Sequence, residues 1–63
     1  MNITYDTEIR ASCLSLLSEL EQITLKHNTT PYHTTIYALS VLSSALLSAT
    51  PKTWEELKEV VNG

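Results

Sequence analysis

Residues 31–49, PYHTTIYALSVLSSALLSA, contain no Asp, Glu, Lys or Arg, and the uncharged run extends outward to Lys26 on one side and Lys52 on the other. A segment this apolar needs cover, and the source of that cover decides the architecture. Read at 3.6 residues per turn it is a helix with apolar side chains on more than one face. Tyr32, Ile36, Leu39, Ser43 and Leu46 line one face, and Thr35, Ala38, Leu42, Ala45 and Ala49 line the next. Tyr37, Val41 and Leu47 carry apolar area further round. His33, Thr34, Ser40, Ser44 and Ser48 are left as the most polar strip. Serines on a helix can bond to carbonyls one turn back, so that strip tolerates partial burial.

The flanks set the boundaries. Pro31 and Pro51 each follow a threonine, the order of an N-cap residue and a proline in the first helical turn. Before Pro31 lies the polar connection His27-Asn28-Thr29-Thr30, of a length that joins antiparallel neighbours. Upstream, residues 6–26 read as an amphipathic helix capped by Asp6 or Thr7. Its inward stripe is Ile9, Cys13, Leu16, Leu20 and Ile23, widened by Leu14 and Leu17. Ser12, Ser15, Glu19, Gln22 and Lys26 fall on the wet side. At 1.5 Å per residue both long helices span roughly 30 Å, so full-length pairing is expected. Downstream, Thr53-Trp54-Glu55-Glu56 matches a capping box opening a helix over residues 53–61. Trp54, Leu57, Val60 and Val61 form its apolar side, with Trp54 expected to staple it onto the long helices. Asn62-Gly63 is a stop, and a helix so short needs docking to persist. The expected fold is therefore all-α: one domain over residues 1–63, an antiparallel helical hairpin plus a short third helix.

Helix 1 covers one face of helix 2, and helix 3 is too short to cover the rest. A transmembrane span would use residues 34–50, a stretch at the lower limit of length, rich in hydroxyls and poor in flanking anchors. A lone monomer would leave an exposed apolar surface that invites aggregation. The preferred reading is a homodimeric helical bundle, with Ile36, Ala38, Leu39, Val41, Leu42, Ala45, Leu46 and Ala49 as interface candidates. Tyr37, Trp54, Glu55 and Lys58 are the candidates for a surface that meets a different partner.

Length points the same way, since a chain of 63 residues buries only about 60% of its unfolded surface and sits near the limit for folding alone. No disulfide can form within the chain, because Cys13 is the single cysteine; on the inward stripe it reads as a small hydrophobe. His27, His33 and Cys13 are too few and too irregularly spaced for a structural zinc site, so no metal or cofactor is expected. His27 and His33 read as loop and cap residues. Four Lys plus Arg against seven Asp plus Glu give a net charge of −3, which disfavours a nucleic-acid partner. A regulator with a helix-turn-helix arrangement of helices 2 and 3 is the alternative, although its recognition helix would present Glu55, Glu56 and Glu59 to phosphate. No nucleophile–base pair, Gly-rich phosphate loop or paired carboxylate occurs, so an enzyme is not expected. The first residues lack the basic and apolar regions of a signal peptide, and with the lone cysteine this points to the cytoplasm, with no membrane association.

The Thr-Pro starts at Thr30-Pro31 and Thr50-Pro51, with the charge-free second helix between them, make the chain similar to the small helical proteins encoded between the exonuclease and excisionase genes of lambda-like phages. That resemblance implies a non-enzymatic modulator of phage development or host physiology, acting in the host cytoplasm through contacts with a host or phage protein. It assigns no role to any single residue. The sequence thus leads to a homodimeric helical interaction module.

Overall fold

Three helices joined by two short connections make up residues 3–63, the part of the chain that the computed structural model describes. They are α1 (Ile3–Lys26), α2 (Pro31–Leu47) and α3 (Trp54–Asn62), with no strand among the described residues.

Each helix end has a local cause. The start of α1 lies at Ile3, a turn earlier than expected, which places Asp6 and Thr7 inside the helix and removes them as caps. Asp6 instead accepts from Arg10 Nε at 2.9 Å, an exposed i,i+4 pair in the first turns. The chain leaves α1 through Asn28, whose φ of 26° is left-handed; Asn tolerates that region well among residues with a Cβ. Thr30 caps α2 as expected, its hydroxyl accepting from the His33 amide at 3.1 Å with Pro31 following. Leu47, two residues short of Ala49, is the last residue of α2, and Pro51 explains why. A proline ring clashes with the carbonyl four residues back, here that of Leu47, so the helix stops at that point. Thr50 is consequently not a cap. It takes a φ of 42°, a conformation costly for a β-branched residue.

Thr53 caps α3, its hydroxyl accepting from the Glu56 amide at 3.1 Å. The return arm of the capping box lands one residue early: Glu56 Oε2 accepts from the Lys52 amide at 2.8 Å, not from that of Thr53. Gly63 closes the helix with φ of 98°, a left-handed position that suits a residue without a Cβ.

Packing departs from expectation more than local structure does. α2 touches both other helices, whereas α1 and α3 do not meet. The α1–α2 contact is tied at the loop end by Thr24, which is 3% exposed. Its hydroxyl oxygen lies 2.8 Å from the Leu20 carbonyl and 2.6 Å from the Thr34 hydroxyl. A hydroxyl has one proton, so both contacts are satisfied together when Thr34 supplies the second. Thr34 therefore belongs to the packed face of α2 and not to its polar strip. That face continues through Ala38 and Val41 to Ala45, the one buried apolar residue among those described, at 2% exposure. Full-length pairing of α1 and α2 is not found: on α1 burial ends at Leu20, and residues 7–19 are all exposed.

The outcome is a flat, open chain of 36 × 32 × 15 Å with a radius of gyration of 13.7 Å. A compact chain of this length would have a radius of about 10–11 Å. It exposes 5560 Å² where a compact monomer of its mass exposes about 4,000 Å². Relative to an unfolded chain of about 10,000 Å², folding removes about 45% of the surface, against about 60% for a compact chain of this size.

Candidate interaction surface

An excess of about 1,500 Å² has to be located on named side chains. Two ridges of apolar side chains contribute to it. On α1, Ile9, Leu16, Leu17 and Ile23 of the expected inward set are exposed, as is Leu14 beside them; within that stripe only Leu20 is half-buried. Cys13 is exposed too, which corrects its reading as an inward filler: the face it lies on is apolar, but α2 does not reach it. On α2, Ile36, Leu39, Leu42 and Leu46 are exposed, Leu39 to 64%. Ser40 donates back to the Ile36 carbonyl at 3.0 Å and Thr35 to that of Pro31 at 2.8 Å, so these hydroxyls are satisfied within the helix.

The interface candidates divide accordingly. Ala45 is taken up inside the chain, where it shares a hollow with Val60 of α3, and it cannot also meet a second copy. Ala38 and Val41 are half-buried, while Ile36, Leu39, Leu42, Leu46 and Ala49 stay open. Small residues at 38 and 45 do permit close approach, but the approach is that of α1 and α3.

Trp54 does not staple α3. It stands 69% exposed, and docking falls to half-buried Leu57 with Val60 and Val61. Trp54 borders an open hollow of about 500 Å³ with Leu42, Leu57 and Val61. Glu55 and Lys58 form an exposed pair at 3.2 Å, and Tyr37 is exposed. The four residues expected to meet a different partner are therefore all at the surface, but Tyr37 opens on hollows other than the one beside Trp54.

A hollow of about 670 Å³ is lined by His27 and His33 together with Leu20, Ile23, Tyr37 and Ala38. Its lining is mostly apolar, and no carboxylate stands beside either imidazole there. Thr30 Oγ1 lies 3.1 Å from His33 Nδ1, which binds His33 into the α2 cap. Among the described residues, no three or more His, Cys, Asp or Glu side chains gather in a group able to hold a metal, and no helix is long and apolar enough to cross a membrane. No protein-family model, curated protein or solved structure matches the chain.

The feature that sequence reasoning missed is the division of α2 between two neighbours. The periodicity of α2 shows which residues share a face, but it does not say that α2 would contact α3 as well as α1, with Val60 of α3 beside the hollow at Ala45.

Proposed function

We propose that this chain is a non-enzymatic helical interaction module that self-associates and acts by binding another protein. The observation carrying this reading is the excess of about 1,500 Å² of exposed surface in a chain whose large apolar side chains are nearly all exposed. A standard interface takes about 800 Å² from each partner, and obligate homodimers take more. The apolar character of the two ridges fits a lasting association, because homodimer seams are richer in apolar area than transient ones. The proposal extends to a modulator role toward a host or phage protein, the partner class that the sequence resemblance implies. The acidic α3, with Glu55, Glu56 and Glu59, argues against the DNA-binding alternative, since phosphate would be repelled there.

Sedimentation equilibrium of the full chain tests the reading. The expected result is twice the monomer mass at micromolar concentration, and a folded, strictly monomeric chain would overturn it. Fluorescence anisotropy with duplex DNA at low salt should show no binding, and tight, steeply salt-dependent binding would transfer the function to the DNA reader.

A further inference from the structure

The α1 stripe is orphaned for a reason that can be followed residue by residue. Thr24 meets Thr34, so in an antiparallel pair one turn further brings Leu20 to Ala38, and those two are half-buried. Continued in the same register, Leu17 would reach Val41, Cys13 would reach Ala45 and Ile9 would reach Ala49. Ala45 is already buried within the chain, at 2% exposure, and lines a hollow with Val60 of α3, while α1 does not touch α3. Residues 9–17 of α1 thus continue the face that meets α2, beyond the last point where their own chain offers them a seat.

We propose that a second copy of this chain fills that seat, laying its own residues 9–17 antiparallel on the same residues with Cys13 at the two-fold axis. The proposal rests on the self-association reading and assigns it a surface. At about 100° per residue, Ile9, Cys13, Leu16 and Leu17 fall within an arc of about 100°, the width of a core-facing stripe. Glu8 and Glu19 lie more than about 100° from its centre, so neither copy brings uncompensated charge to the seam. Asp6 falls on the stripe's own side one turn before Ile9, with Arg10 at the stripe's edge facing Leu16 of the other copy, and the two form an ion pair at 2.9 Å that compensates both charges.

The stripe is also self-complementary, as an isologous contact requires. A two-fold through residue 13 sets Ile9 of each copy against Leu17 of the other, with the small Cys13 side chain at the point of closest approach. Helix axes pack 8–10 Å apart and Cα atoms sit about 2.3 Å off axis, so two residues facing across the dyad have Cα atoms roughly 3.5–5.5 Å apart. That overlaps the 4.4–6.8 Å spacing at which cysteines can be joined. The whole chain's excess over a compact monomer, about 1,500 Å², is about twice the 800 Å² per partner of a standard interface, so a dimer built on this seam has room to extend beside it.

The natural chain carries the reporter. A short bismaleimide should join two Cys13 thiols into a covalent dimer in the folded protein, at least about tenfold faster than in concentrated urea, because the dyad holds the second thiol at high effective concentration. Cys13→Ala should abolish the cross-link and leave the sedimenting dimer in place. Leu16→Glu should abolish both, while Leu39→Glu, on the α2 ridge, should leave the cross-link unchanged. A dimer by sedimentation whose Cys13 thiols do not cross-link in the wild type refutes this seam and leaves self-association standing, and loss of the dimer in Leu39→Glu alone moves the axis to α2. A monomeric wild type refutes both readings. The wild-type cross-linking result holds even if a variant fails to fold.

Discussion

Dilution is the sharpest perturbation for a chain whose own folding leaves so much surface uncovered. If the folded state is a pair, unfolding liberates two chains, and each tenfold dilution costs the folded state about 1.4 kcal/mol per mole of dimer. Two copies of 63 residues unfold with an entropy of about 2.1 cal/mol/K per residue, about 0.26 kcal/mol/K for the pair. The quotient is a fall in Tm of about 5 °C per decade, and about 10 °C between about 100 µM and about 1 µM. Far-UV circular dichroism reads this directly, because the helices supply nearly all of the signal. The measurement needs no substitution, so no variant can fail to fold. A Tm constant over that hundredfold range would show that a single flat chain is stable by itself, and the inference drawn from its 5560 Å² of surface would fail.

Four substitutions probe the intrachain contacts. Thr24→Val leaves the Thr34 hydroxyl without its partner and should cost about 1–2 kcal/mol in urea unfolding, whereas Thr24→Val with Thr34→Val should cost less than the sum of the two single changes; additive losses would show that the hydroxyls are not coupled. Ala45→Leu should destabilise by about 1–3 kcal/mol through overpacking under α3, and a neutral result would mean that α3 does not dock there. Thr53→Ala should lose about 1 kcal/mol through the missing cap, seen as reduced helicity and a lower urea midpoint at fixed concentration, and no change in either would refute the capping role.

Local structure was legible in the sequence wherever one side chain or one steric clash decides it. Thr30 before Pro31, Thr53 three residues before Glu56, and Gly63 at the end each state a helix boundary in two or three residues, and the helices begin or end there. The misplaced boundaries have equally local causes. Asp6 had a competing partner in Arg10, and the effect of Pro51 extends four residues back to Leu47. Tertiary placement was far less legible. Cys13 and Leu16 lie on the correct face of α1, yet whether that face is covered depends on α3, whose residues lie some forty positions away. Trp54 was the largest apolar side chain of α3 and so the natural staple. Its position next to the Thr53 cap, however, keeps it at the end of the helix, and Leu57 one turn in makes the contact instead.

A slab 15 Å thick changes what mutational sensitivity would mean for this protein. In an ordinary domain, positions that tolerate nothing are those buried in the chain's own fold, and a map of intolerance outlines the core. Here only Thr24 and Ala45 are buried among the described residues, so single-chain burial forecasts tolerance at nearly every site. A saturation scan scored on folded protein should instead find its least tolerant positions among side chains that one chain leaves in water, with Ile9, Leu16 and Leu17 among them. The contour of such a map would trace the partner, and chain variants would diverge most slowly where a single copy gives them no visible reason to.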